Sequence, residues 1–210
     1  MHASNFFHQN GDKAMKIIDI SQEVFSCKVF PGDEPPKKER VMSVERGDVC
    51  NLTNLSMCAH NGTHIDAPFH FISNGKTVDQ MGLVPYVGSC YVARCEGDLT
   101  AQGAMDIMQK AAAVGADKRI LIAGKATVTA EAAAVFAESG IYLIGNESQT
   151  VGPEDAPKEV HLILLGKGVT LLEGIVLDKV PEGKYFLSAA PLNLAGCDGA
   201  PCRAFLMHNS

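Results

Sequence analysis

The run His60-Asn61-Gly62-Thr63-His64-Ile65-Asp66-Ala67-Pro68-Phe69-His70-Phe71 constrains this chain more than any other stretch. It gathers three of the seven histidines and one aspartate within twelve residues. His60, Gly62, His64, Asp66, Pro68 and His70 share one parity, so an extended backbone turns them all to one side. A helix would align His60 with His64 but turn Asp66 away, and Pro68 would break it. A straight strand also fails, because a rise of about 3.3 Å per residue puts His60 and His64 roughly 13 Å apart. One metal ion cannot bridge that gap with bonds of about 2 Å. A metal-holding segment must therefore bend, and Gly62 is the place for a bulge or kink. Imidazole with carboxylate suits a divalent transition metal, and a ligand position left open activates water. The plainer alternative is a histidine-rich surface loop.

Two further candidates lie far along the chain. Glu173 sits in the apolar run Val169-Thr170-Leu171-Leu172-Glu173-Gly174-Ile175-Val176-Leu177, which reads as a buried strand. An ionised carboxylate there needs a partner, for which a metal would serve, unless it lies on an edge and reaches water. His161 lies on a helix starting near Pro157; from the residues alone, a satisfied core histidine is the simpler reading. His2, His8 and His208 are close to the termini and carry no expected role.

At 210 residues the chain is long enough for one domain with a sizeable core. Eighteen basic and 24 acidic residues give a net charge of −6 without a basic block, which argues against a nucleic-acid partner. No stretch approaches the ~20 apolar residues of a membrane span. Residues 1–14 are polar, without the apolar core of a signal peptide, and read as a disordered extension before a domain at 15–210. Seven cysteines, an odd number, favour reduced thiols and a cytoplasmic location. Cys197 and Cys202 lack a second pair of zinc-ribbon spacing. Cys58 shares the parity of the histidine row, although a small buried core residue explains it more simply.

Periodicity gives alternating elements. Strands are expected at 17–20, 87–95, 119–123, 141–145, 170–177, 185–189 and 203–207. Helices are expected at 100–114, 129–139 and from Pro157, with Thr100 or Asp98 capping the first, Gly140 closing the second and Pro157 as N1 of the third. The Pro-rich loop 31–36 would border the site. The pattern is α/β, and no repeat or linker divides it.

The histidine run resembles the HxGTHxDxPxHF signature of the cyclase-like metal hydrolases, a family that includes bacterial kynurenine formamidase and isatin hydrolase. Every fixed position is matched. The resemblance extends from about Ile17 to Leu206. It takes in Phe30-Pro31-Gly32-Asp33, the segment 173–185 around Glu173, and Ala190-Pro191-Leu192 with Gly196, Asp198-Gly199-Ala200-Pro201 and Arg203-Ala204. It implies a swivelling β/β/α fold with a mixed, barrel-like sheet and flanking helices. It also implies two divalent ions, zinc or manganese. His60, His64 and Asp66 would hold the first, His161 the second, with Asp66 and Glu173 bridging. His70 takes the place of the proton-transfer histidine. Phe30 falls where formamidases carry a substrate-contacting tryptophan, and this chain has no tryptophan. Asn146-Glu147-Ser148-Gln149 departs from the aspartate and proline more usual there.

The implied reaction is hydrolysis of a small amide C–N bond by activated water, with N-formylkynurenine giving formate and kynurenine as the reference. Alternatives are a lactam or lactone hydrolase, a dehydratase, or a metal-binding module without turnover. No Gly-x-Ser-x-Gly elbow supports a serine hydrolase. The family also implies a homodimer or larger homo-oligomer.

Overall fold

The computed structural model describes residues 6–7 and 15–209. The expectation of disorder over 1–14 therefore falls, Phe6–Phe7 apart, outside the described residues, as do His2 and His8.

Four parallel strands form the centre: Val87–Arg94, Arg119–Ala123, Leu143–Asn146 and Thr170–Glu173. Parallel neighbours need a crossover. The three helices supply them: α1 (Ala101–Ala113), α2 (Ala130–Glu138) and α3 (Lys158–Gly166). Threonine hydroxyls open the first two, Thr100 accepting from the Gly103 N–H and Thr129 from the Ala132 N–H. Pro157 sits one position earlier than expected, as the cap residue of α3 rather than its first helical residue.

Antiparallel strands extend both flanks. Gly183–Ser188 pairs with Val87–Arg94, then Phe205–Asn209, Met15–Asp19 and Phe6–Phe7 follow outward. On the other flank His64–Asp66 pairs with Thr170–Glu173, and Gly199–Pro201 pairs with His64–Asp66. The whole is a ten-stranded mixed sheet. It curls until the continuations of distant strands meet, Ser21 bridging Ile175 and the Val176 N–H donating to the Ile20 carbonyl.

Burial on both faces makes Arg119–Ala123 a continuous apolar run after its first residue. Ile120 and Ile122 face the helices with Ile107, Phe136 and Leu164, whereas Leu121 and Ala123 face the inside of the curl with Ile20, Ile65 and Leu172. A single α/β domain with a half-barrel sheet and helices on its outer face results. Two small sheets lie apart from it, Gly97–Leu99 with Ala126–Val128 and the hairpin Lys37–Met42 with Leu52–Ser56. Neither was expected from the sequence. Charges occupy both faces of Lys37-Lys38-Glu39-Arg40, and this strand is exposed on both sides, so no alternation marks it.

Candidate active site

The chain bends where the metal-site argument requires. Cys58 to Gly62 turns, with Gly62 at φ +69°, before His64–Asp66 runs straight as a strand. Glycine adopts that φ at no steric cost. The turn is fastened by Thr63, whose hydroxyl donates to the Gly174 carbonyl at 2.6 Å and accepts from the Gln22 N–H at 2.9 Å. Thr63 is thus a backbone anchor.

Register then collects the rest. His64 lies opposite Glu173 and Asp66 opposite Leu171, so the imidazole and both carboxylates share the face toward the helices. There α3 presents His161 from its first turn. A single 3-10 turn, Pro68–His70, folds His70 back over the row. All six polar candidates come together: His60 Nδ1 is 2.8 Å from Asp66 Oδ1, and His64 Nε2 is 3.4 Å from both Asp66 Oδ1 and Glu173 Oε2. His161 Nε2 lies 3.5 Å from Asp66 Oδ2 and 3.3 Å from Glu173 Oε1, and His70 Nε2 is 4.0 Å from Asp66 Oδ2. Phe30 joins His60, His64, His70, Phe71 and His161 around a cavity of ≈ 230 Å³. Asp33, from the expected loop 31–36, lines it too.

The donor chemistry fits a divalent metal. The Nδ1 atoms of His64 and His161 face the Gly62 and Pro157 carbonyls at 2.9 and 2.8 Å, and a carbonyl can only accept. Both rings therefore carry a proton on Nδ1, and in the neutral form Nε2 turns a lone pair toward carboxylate oxygens. Asp66 Oδ2 and His64 Nε2 are buried with no hydrogen-bond partner. Lone pairs converging on one buried point are held together by a cation. His60, His64 and Asp66 form one group within metal-ligating reach, and Asp66, His161 and Glu173 another. Glu173 is further fixed by the Val151 N–H, which donates to its Oε1 at 2.8 Å.

Without a metal, protons take that place. Burial disfavours the charged form of His60, but Asp198 and Asp66 outweigh it and hold its pKa up to about 9. His161 behaves alike: burial is outweighed by Asp66 and Glu173, and its pKa rises to about 10. Burial works against the Asp66 carboxylate too, yet His161, His60 and His64 keep it well below the usual range.

One residue beside the candidate site was missed. Asp198 stands against His60 and His70, carried there by Gly199–Pro201, which pairs with the ligand strand. The only sequence signal was its place in the C-terminal run that resembles the family. Its neighbour explains how it comes so close. A Cβ on Gly199 would meet His60 Cε1 and the Ile65 carbonyl, both at 2.7 Å. Gly199→Ala will lower stability by about 1–3 kcal/mol through overpacking, read as a lower urea midpoint at unchanged m-value; an unchanged midpoint would refute the close fit. No cysteine lines the cavity. All seven are free thiols, and Cys58 is half-buried rather than core, with its Sγ 3.7 Å from Asp33 Oδ2.

Known proteins resemble this chain in sequence and in fold. The family model Cyclase, described as "Putative cyclase", matches residues 18–153. A kynurenine formamidase of Bacillus thuringiensis subsp. konkukian (strain 97-27) is 36% identical over 207 residues, covering 92% of this chain and 98% of that one. Among solved structures, a protein described as a potential metal-dependent hydrolase with cyclase activity has a TM-score of 0.76 at 27% identity, covering 93% and 99% of the two chains. Isatin hydrolase A from Labrenzia aggregata shares the fold, with a TM-score of 0.79 at 24% identity over 93% and 94%. The family match over most of the chain and the full-length formamidase relative lead to one statement: this chain belongs to the Cyclase family.

Proposed function

We propose that this chain is a metal-dependent hydrolase of a small amide C–N bond, with N-formylkynurenine as substrate and formate and kynurenine as products. The observation that carries it is the convergence of three histidines and two carboxylates on one buried point, with His70 above it. The choice of substrate rests on the formamidase relative.

In this reading His60, His64 and Asp66 would hold one ion and His161 a second, with the carboxylates of Asp66 and Glu173 available to both. Zinc and manganese both suit such ligands. A bound divalent ion supplies a Lewis acid and water acidic enough to act as hydroxide near neutral pH. The other steps belong to the chain. His70 Nε2 takes a proton from the attacking water and returns it to the leaving nitrogen, which an anilide requires. Phe30 and Phe71 wall the cavity and stack on the aromatic ring of the substrate. Phe30 gives less area than a tryptophan and no indole N–H. The compact cavity suits a flat bicyclic lactam of the isatin type as well, which makes lactam opening the second reading.

Residues 15–210 form the catalytic domain in this proposal. A homodimer is part of it, supported by the hairpin Lys37–Met42 with Leu52–Ser56, which exposes Val41, Val44, Val49, Leu52 and Leu55 and has little stability of its own. Light scattering will read the mass. A reducing, cytoplasmic setting suits the seven free thiols. Among the described residues, no helix is long and apolar enough to cross a membrane.

Formate release from N-formylkynurenine by protein stripped and reloaded with zinc or manganese tests the reaction. Metal-dependent turnover at about 10⁴ M⁻¹s⁻¹ or more supports it. Ring opening of isatin with no formate release would transfer the assignment to lactams.

Metal also sets the pH response of stability. In the stripped protein His60 and His161 have folded pKa values of about 9 and about 10, above the usual 6.5. Their contribution is therefore complete below pH 6.5 and is lost as pH rises through 9 to 10. Metal binding, which needs unprotonated imidazole, strengthens over the same range. The gap in Tm between loaded and stripped protein will widen from pH 6 to pH 9. At a metal concentration of about 100 Kd, loading adds about 2.7 kcal/mol. Differential scanning calorimetry with and without chelator reads both, and a gap constant with pH would contradict the assignment.

A further inference from the structure

We propose that Asp198 is a positioning residue that fixes the ring tautomers of His60 and His70 together, and so decides which nitrogen each turns to the site. One oxygen does both: Asp198 Oδ2 lies 2.8 Å from His60 Nε2 and 3.1 Å from His70 Nδ1. A carboxylate only accepts, so both nitrogens must donate. Two consequences follow from the far side of each ring. His60 turns Nδ1 to Asp66 Oδ1, among the candidate ligands, and His70 turns Nε2 toward Asp66 Oδ2. The two rings stack with centroids 4.0 Å apart and planes inclined by 29°, so one carboxylate reaches both edges at once.

Without this acceptor His70 would be set wrongly. A neutral imidazole free of other bonds prefers its proton on Nε2, and would offer an N–H where a base needs a lone pair. Oriented histidine with a carboxylate behind it is a general device for bases and metal ligands alike. Asp198 suits it because its side chain is 40% exposed, so its charge is held at small desolvation cost. Its backbone is anchored beside the site, the Ala67 N–H donating to the Asp198 carbonyl at 2.9 Å. His60, His70 and Asp198 also lie within metal-ligating reach of one another. That trio is nevertheless satisfied by its own two hydrogen bonds, whereas the unpartnered buried atoms, His64 Nε2 and Asp66 Oδ2, belong to the other groups.

The consequence for turnover rests on the proposed function; the tautomers do not. The test uses zinc-loaded protein with ¹⁵N-labelled histidine, comparing wild type, Asp198→Asn, Asp198→Ala, His70→Ala and the Asp198→Ala/His70→Ala pair. In the wild type, long-range ¹H–¹⁵N spectra will show His70 protonated on Nδ1; Asp198→Ala will move that proton to Nε2. Chelator competition will show zinc held about 10–100-fold more weakly in Asp198→Ala, through His60. With N-formylkynurenine kcat will fall about 10²-fold with KM little changed, and Asp198→Asn, which keeps an acceptor oxygen in place, will fall less. In the His70→Ala background the same substitution will cost little further in kcat. An unchanged His70 tautomer in Asp198→Ala, or an equal kcat loss in both backgrounds, would overturn the proposal. Should the wild type not turn over N-formylkynurenine, that reaction fails, and the spectra and zinc affinity still decide the role of Asp198.

Discussion

Asp66→Ala will release bound metal and reduce hydrolysis by at least about 10³-fold, the equivalent of several kcal/mol of lost transition-state stabilisation. No other side chain in the site faces so many partners. One carboxylate oxygen lies 2.8 Å from His60 and 3.4 Å from His64, and the other lies 3.5 Å from His161. Removing it deprives both candidate ion positions of a shared ligand at once, so neither group of three remains complete. The fold should survive, because the backbone at 66 is paired on both sides, with Leu171 and with Gly199. Elemental analysis after dialysis reads the metal, initial rates read the activity, and circular dichroism verifies the fold. Wild-type metal content in a folded Asp66→Ala protein would refute the assignment of Asp66 as the bridging ligand.

The candidate site was legible in the sequence to the extent that it is local. His60, His64, Asp66 and His70 fall within eleven residues, and the geometric impossibility of a straight strand already demanded the bend at Gly62. The distant members obey a different logic. Glu173 looked like a strand carboxylate in need of a partner, but only the register places it opposite His64. His161 had the sequence signature of an ordinary core histidine; resemblance alone singled it out. Asp198 had no signature of its own, since an aspartate before a glycine reads as a turn, and its meeting with His60 spans 138 positions.

The elements show the same division. Thr100, Thr129 and the apolar periods made the first two helices readable to within a residue or two. The strand expected over 170–177 stops at Glu173 because Gly174 takes φ +66° and turns the chain away. Three-residue strands such as His64–Asp66 and Gly199–Pro201 are too short for any period to mark them. They exist because neighbours already in place accept their hydrogen bonds.

His70→Ala will separate binding from chemistry. Its Nε2 stands 4.0 Å from Asp66 Oδ2, too far for a hydrogen bond, and its other nitrogen is spent on Asp198. It is also more open than the buried histidines, its side chain 29% exposed against 1% for His64 and 2% for His161. All three rings line the cavity, and His70 is the most open of them to substrate and to proton exchange. Metal content and Tm should therefore stay within error of the wild type while kcat falls about 10²–10⁴-fold, the usual contribution of a positioned acid–base group. The loss should be larger for an anilide such as N-formylkynurenine than for a formyl ester of similar shape, because an alkoxide or phenoxide departs with less need of a proton. A metal-binding module without turnover would show no kcat to lose. Equal losses on amide and ester would confine His70 to the attack step and remove it from protonation of the leaving group.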